Sequence, residues 1–288
     1  MNESMAVFIL SHGRAENVVT YKTLRRCGYT GPIYIVIDDE DEQEDKYRKI
    51  YGDNVLQFCK EEYVQKSMCI NPDKPRKVIL YARNACFDLA RKIGVTHFVE
   101  MDDDYTCFHF RYDDGEKLKG KEIKNLDKVF YLFFEFMETS GADSVAFGQG
   151  GDLLGGRNNK RWKDQVLRKA MNSFFCMTDR PINFIGSINE DVNTYVSKGN
   201  VGKLFFSIMR VTLVQKPTQK NKGGMAETYI ENGTYVKTFP TIMLNPSCTK
   251  VCMMGETGKR IHHKVLWRYA VPKILNQKYK KVVEEIGE

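Results

Sequence analysis

The chain predicts an α/β fold built on a parallel sheet, and three observations carry that expectation. Short apolar runs alternate with segments of helical spacing through the N-terminal third, in the order β-α-β-α-β. The runs Met5–Leu10 (MAVFIL) and 33–37 (IYIVI) are apolar throughout rather than alternating, as in strands covered by helices on both faces. A further run, 97–104 (HFVEMDDD), ends in three carboxylates, at the end of the strand where open α/β sheets bind ligands. Parallel neighbours need right-handed crossovers, and the helical segments supply them.

In order along the chain, the strand 5–10 enters a loop of Ser11, His12, Gly13 and Arg14. Residues 17–26 place Val18, Tyr21 and Leu24 on one helical face, with Cys27-Gly28 as the stop. After the Gly31-Pro32 turn, the second strand ends at Asp38 and Asp39, an acidic helix runs to about Tyr51, and a weaker strand covers Val55–Phe58. The segment 59–77, with Pro72 and Pro75, is expected to be an irregular, mobile loop. Residues 78–93 make the clearest helix, apolar at Ile79, Ala82, Ala85, Cys86, Leu89, Ala90 and Ile93 and stopped by Gly94. Its first turns carry Tyr81, Arg83 and Asn84, directly ahead of the acidic strand.

Beyond the acids, 126–139 is a second apolar helix, and 144–147, 173–177 and 204–214 read as strands of a mixed or antiparallel half. Residues 185–198 turn into a short helix opening with Asn189, Glu190 and Asp191. The stretch 148–156 (GQGGDLLGG) fits no G-x-G-x-x-G pattern and reads as a flexible loop. Residues 216–224 (KPTQKNKGG) read as a basic loop and 273–288 as a terminal helix or tail.

Length permits one large α/β domain, and 44 Lys and Arg against 37 Asp and Glu leave a formal +7, which favours a polyanionic partner. Residues 38–45 are almost wholly acidic, whereas 259–281 carry eight basic side chains and no acidic one, and a second basic cluster spans 157–169. The eight cysteines are scattered, no secretory signal opens the chain, and no apolar run approaches a membrane span. A cytoplasmic protein with reduced thiols and no membrane is expected. Cys248, Cys252, His262 and His263 make only an off-pattern zinc set.

Three adjacent acids at the edge of a buried strand repel one another, so a cation is expected there. Asp102 and Asp104, two apart on extended backbone, project to one side and can share a hard ion, while Asp103 points away. The plain alternative is a solvated acidic turn. For Arg83 the alternatives are a surface residue or a phosphate contact at the sheet's edge; for Asp191, a helix cap or a carboxylate available for proton transfer.

Two βα units, a helix bearing Arg-Asn, a strand ending in D-x-D, a later Asn-Glu-Asp turn and a histidine near the C-terminus together resemble the GT-A class of nucleotide-sugar glycosyltransferases, over roughly residues 5–265. More narrowly, FILSHGRAENVVTYKTLRRCGYTGPIYIVIDDED, YARNACFDLA and FVEMDDDYT resemble the TET-associated glycosyltransferases. That group is found in bacteriophages and is linked by genomic context to sugar addition on 5-hydroxymethylpyrimidines of DNA. The resemblance implies one GT-A domain over 1–265, divided into a nucleotide-sugar half (1–104) and an acceptor half (105–265), with a basic tail at 266–288. It implies Mn²⁺ or Mg²⁺ bridging the diphosphate of a UDP-sugar, held by Asp102, Asp104 and either His262 or His263. Ser11, Gly13, Arg14, Asp38, Arg83, Asp103 and Glu190 would serve the donor, and Asp191 would be the general base of an inverting transfer. The work would take place in the host bacterial cytoplasm.

A DNA acceptor needs phosphate contacts and a base turned out of the stack. Arg161, Lys163, Lys259 and Arg260 suit the first task and Trp162 the second, whereas Trp267 lies in the apolar pattern Val265, Leu266, Tyr269, Val271 and reads equally as core. Rival readings are a GT-A enzyme with a glycan or protein acceptor, a nucleic-acid-binding module whose acids hold a structural ion, and a metal-dependent nuclease or nucleotidyltransferase.

Overall fold

Every side chain of β1 (Met5–Leu10) is buried, because the strand lies inside a sheet with helices on both faces. The computed structural model describes residues 4–70, 75–215, 238–254 and 260–272. β1 pairs in parallel with β2 (Ile33–Asp38) and β4 (His97–Asp102), and β2 pairs in parallel with β3 (Val55–Phe58). Alternate residues divide between two cores. Val7, Ile9, Val99 and Met101 face α1 (Val19–Arg26) and α5 (Leu126–Ser140), while Ala6, Phe8, Leu10 and Phe98 face α4 (Leu80–Lys92). α2 (Glu44–Tyr51) completes the parallel half.

The second half is mixed. It comprises β5 (Tyr105–Asp113), β6 (Leu118–Glu122), β7 (Ser144–Gln149), β8 (Val166–Leu167), β9 (Phe174–Met177) and β10 (Phe205–Gln215). The sheet order is β3-β2-β1-β4-β9-β7-β10-β5-β6, with β8 on β10. β9 runs against both β4 and β7, and β10 runs with β7. The carboxyl ends of β3, β2, β1, β4, β7 and β10 and the amino end of β9 therefore share one edge. Beside the sheet, β11 (Thr249–Met254) and β12 (Arg260–Val265) form a hairpin against α8 (Thr238–Leu244), which in turn packs on α7 (Glu190–Gly199).

The α/β expectation holds, with local corrections. The segment expected to be irregular contains α3 (Lys60–Lys66), which buries Lys60, Tyr63 and Val64 on one face. These three lie at i, i+3 and i+4, one helical face, ahead of the prolines on which the irregular reading rested. Residues 105–122, given no structure in advance, form the β5–β6 hairpin, closed by Asp113 and Asp114 side chains accepting from the N–H groups of Gly115, Glu116 and Lys117. The glycine-rich stretch contains a 3-10 turn at Gly150–Leu153 and leads into a second at Gly156–Asn158, and buried Asp152 pairs with Arg161 and Lys169. α6 (Lys160–Asp164) follows. The expected basic loop at 216–224 and the tail at 273–288 lie outside the described residues.

Candidate active site

The shared edge opens into a cleft of about 530 Å³. Its floor is acidic: Asp102, Asp103 and Asp104 after β4, and Glu190 and Asp191 opening α7. One flank, beyond β1 to β3, carries Ser11, His12, Arg14, Asp38, Lys60, Arg76 and Lys77; the other, beyond β9, β7 and β10, carries Met171, Asn172, Gln149 and Gln215. Nine of the residues singled out in the sequence thus meet in one place: Ser11, Arg14, Asp38, Arg83, Asp102, Asp103, Asp104, Glu190 and Asp191.

Arg83 organises the floor. Its side chain is 2% exposed, and its guanidinium donates to Asp102 Oδ1 (3.1 Å) and Glu190 Oε1 (3.1 Å), with Glu100 Oε2 at 3.5 Å. The Phe174 ring lies 4.9 Å from it. Arg83 lines the cleft while its guanidinium is engaged with the carboxylates of the floor. Burial, joined by repulsion from Asp104, Glu190 and Asp103 and opposed by Arg83, pushes the Asp102 carboxyl up to about 7. Burial and the neighbouring Glu190 likewise raise Asp191 to about 7, although Asp191 Oδ1 accepts the Val192 N–H at 2.7 Å. The cap position itself belongs to Asn189, held at φ 54° with no side-chain cap bond; its amide donates to Thr241 instead.

The acidic turn is pinned from α1. Thr20 Oγ1 donates to the Asp102 carbonyl (2.6 Å) and accepts the Tyr105 N–H (2.9 Å), while the Thr20 N–H donates to the Asp103 carbonyl (3.1 Å). The Asp103 side chain does point away from Asp102's partners, but toward protein: Ser11 Oγ donates at 2.7 Å and Arg14 at 3.0 Å. Asp103 lines the cleft, and these two bonds tie it to the first loop. Gly13, at φ +66°, lends its N–H to Asp41 (2.8 Å) and does not line the cleft.

Asp38 is similarly committed, accepting from His12 Nδ1 (2.9 Å), Lys60 Nζ (2.8 Å) and the Glu40 N–H (3.0 Å). Burial works against its charge, but the hydrogen bonds from His12 and Lys60 outweigh it and hold the carboxyl at about 2. The half-exposed His12, raised by the same bond, is the group facing the cleft there. His12, Lys60, Glu100 and the three amides were not singled out in advance. His12 stood between two residues that were; Gln149 was lost by ending a strand two residues early; nothing local marks Glu100 as central.

The outlying candidates separate from the cleft. His262 and His263 sit on β12 with ring centroids 4.4 Å apart and do not line it. Among the described residues no group of three or more His, Cys, Asp or Glu is arranged to hold a metal, so neither histidine stands with Asp102 and Asp104 here, and Cys248 and Cys252 form no zinc set with the histidines. Asp102 and Asp104 still offer hard oxygen donors; burial is the main cause that raises Asp102, and a divalent cation would offset both it and the added repulsion from Asp104, Glu190 and Asp103. A grip of one or two carboxylates, completed by phosphate oxygens and water, suits Mg²⁺ and Mn²⁺.

Trp162 is 6% exposed, packed with Leu153 and Met209 under Arg210, so its ring is not available to a base. Trp267 is the more open at 37%, stacked on Tyr195 with Arg168 over it. Arg161 pairs with Asp152, Arg157 with Asp113, and Lys163 is exposed; Lys259 lies outside the described residues and Arg260 opens β12. All eight cysteines are free thiols, and no described helix is long and apolar enough to cross a membrane.

A family profile described as TET-Associated Glycosyltransferase matches residues 5–224. The chain belongs to that family. This TET-associated glycosyltransferase thus carries its cleft, from Ser11 to Gln215, wholly within the matched span. No curated protein matches it in sequence. Among solved structures it is similar to glucosyl-3-phosphoglycerate synthase from Mycobacterium tuberculosis in complex with Mg²⁺ and uridine diphosphate, at 8% identity and TM-score 0.47, over 92% of this chain and 88% of that one. It is similar also to S. aureus TarS 1–349, at 12% identity and TM-score 0.39, over 73% and 59%.

Proposed function

We propose that this glycosyltransferase moves a sugar from a UDP-sugar to the hydroxyl of a 5-hydroxymethylpyrimidine in double-stranded DNA, with inversion, in the cytoplasm of a phage-infected bacterium. The observation that carries the reading is the convergence of Asp102, Asp104, Glu190 and Asp191 on one cleft floor beside a flank bearing Arg14, Lys60, Arg76 and Lys77. The nucleotide fits the flank beyond β1 to β3, where Arg14, Lys60 and Arg76 pair with Asp103, Asp38 and Glu40, and the transferred sugar fits over the acids. Mn²⁺ or Mg²⁺ held by Asp102 and Asp104 would supply electrostatic stabilisation of the departing diphosphate.

The residues of the chain do the rest. Arg83 keeps Asp102 and Glu190 at fixed separation, so the acids meet the substrate without rearranging. Asp191, its carboxyl raised by burial and by the neighbouring Glu190, is suited to take the proton of the acceptor hydroxyl. The hydroxyl oxygen bonds to the anomeric carbon as the bond to the diphosphate breaks, and UDP departs with that electron pair. Glu190, held through Oε1, can accept from sugar hydroxyls through its other oxygen.

The pairing of Arg157, Arg161 and Lys169 with acids, and the burial of Trp162, favour a second reading in which the acceptor is a glycan or protein. One experiment separates the two. A panel of UDP-sugars with Mn²⁺ is offered against 5-hydroxymethylcytosine DNA, 5-hydroxymethyluracil DNA and glycan acceptors, followed by mass spectrometry and proton NMR of the product. Glycosylated nucleosides with inverted anomeric configuration are expected. Transfer to glycans alone, or retained configuration, overturns the acceptor or the base assignment respectively.

A further inference from the structure

The cleft has two unlike flanks about its acidic floor, and only one suits a phosphorylated donor. At about 4.8 Å per strand, the Asp38 flank on β2 lies roughly 10 Å from β4, and on the other side Gln149 on β7 lies about 10 Å and Gln215 on β10 about 14 Å away. Among the described residues this second flank is lined by Gln149, Met171, Asn172 and Gln215, none of them charged. Resting on the reading above, we propose that these side chains form the acceptor-base subsite, which takes an uncharged pyrimidine turned out of the duplex and reads its polar edge.

Three features point to a nucleobase rather than a sugar or a phosphate. The amides come from three separate strand ends yet are joined: Asn172 Nδ2 donates to Gln215 Oε1 and reaches Gln149 Oε1 at 3.5 Å, and Gln149 Nε2 donates to the Met171 carbonyl at 3.3 Å. Whichever way the Asn172 and Gln215 amides are turned, their mutual bond leaves one N–H donor and one carbonyl acceptor side by side. That pair is complementary to adjacent groups on a pyrimidine edge, where cytosine and uracil derivatives differ. Met171, half-buried beside them, offers a polarisable surface to a ring face.

The backbone here is also held out of its ordinary range. Asn172 has φ 64°, and its carbonyl accepts the Tyr105 hydroxyl, a side chain that follows the acidic turn directly. A non-glycine residue kept left-handed is uncommon and concentrates at ligand sites. Tyr105 thus links this flank to the acidic turn.

The test uses Gln215→Leu, which keeps the volume and removes the amide, and Asn172→Gly, which removes the amide and accepts the left-handed backbone without strain. The full-length protein is assayed with the productive UDP-sugar and Mn²⁺ on duplexes bearing 5-hydroxymethylcytosine or 5-hydroxymethyluracil. The ratio of kcat/KM on the two duplexes is read, because partial unfolding cancels from it, together with the Kd for UDP. Each variant is expected to shift the ratio by about fivefold or more, the lower bound for one base-edge contact, and to leave the UDP Kd within about twofold. If the unaltered protein glycosylates DNA and the variants keep its ratio, the subsite is wrong and the donor reading stands. Loss of UDP binding by the variants would move these amides to the donor and also overturn it. No transfer to either duplex by the unaltered protein overturns the subsite and the DNA acceptor together.

Discussion

Arg83 shows what a single residue can and cannot reveal of itself. Its place in the first turns of a helix before the acidic strand was legible. Its burial was not, since one of its partners, Glu190, lies 107 residues away and the covering rings of Phe174 and Phe184 come from a different half. Removing it leaves Glu100, Asp102 and Glu190 clustered without a cation, so Arg83→Met should destabilise the fold by about 3–5 kcal/mol in urea titration. A cost under about 1 kcal/mol would show that the guanidinium is solvated. Glu100 gives a sharper test, through pH. Burial, against the pull of Arg83, raises its carboxyl to about 8, above the 4.5 of an unperturbed glutamate. Between those values the unfolded chain has lost the proton and the folded chain keeps it. The stability this group contributes is therefore full below about 4.5 and lost as pH rises through 8. Glu100→Gln removes that loss, and its urea midpoint relative to the unaltered protein should climb from pH 5 to 8. A flat or falling difference would mean Glu100 is ionised in the fold. Asp38 has the opposite sign: held at about 2, it lends stability above about 4 that disappears as pH falls through 2, and Asp38→Asn should flatten the acid limb.

Among elements, buried parallel strands announce themselves by unbroken apolar content, which is why β1, β2 and β4 lie where the sequence put them. The β5–β6 hairpin and α3 were missed because polar residues such as Thr106, Lys60 and Glu122 are held there by partners remote in sequence. The acidic turn depends on α1 through one hydroxyl. Thr20→Val leaves the Asp102 carbonyl and the Tyr105 N–H unsatisfied, at a cost of about 2–4 kcal/mol, whereas Thr20→Ser should cost well under half of that in thermal or urea unfolding. Equal losses in both would remove the hydroxyl from the account. The stop after α1 was readable as Cys27-Gly28, and its reason is steric as well as conformational. At φ +82° a Cβ on Gly28 would stand 2.1 Å from the Lys124 carbonyl, whereas at Gly52, φ +59°, it would meet nothing within 4 Å. Gly28→Ala should therefore cost clearly more stability than Gly52→Ala.

At the scale of the molecule, the formal +7 is not spread as the linear sequence implied. The basic run 157–169 is partly neutralised by Asp113 and Asp152, acids contributed by other parts of the chain, which no reading of charge runs could pair with it. Duplex affinity should still fall with added salt, but Arg161→Ala should change it by less than about threefold, because that charge is already engaged with Asp152. A tenfold loss in a filter-binding or anisotropy titration would return Arg161 to the DNA interface. The acidic floor, in contrast, was legible as a whole: its D-x-D triplet and its Asn-Glu-Asp turn are separate in sequence and adjacent in the cleft. The most direct measurement is the Mn²⁺-dependent rate of UDP release from the productive UDP-sugar with hydroxymethylated DNA, comparing the unaltered enzyme with Asp104→Asn. Asp104 is the cleaner choice because Asp102 also anchors Arg83. The account predicts a fall of about a thousandfold or more, and equal silence of the unaltered enzyme in chelator. A variant rate within about threefold of the unaltered one, or turnover indifferent to chelation, would contradict it.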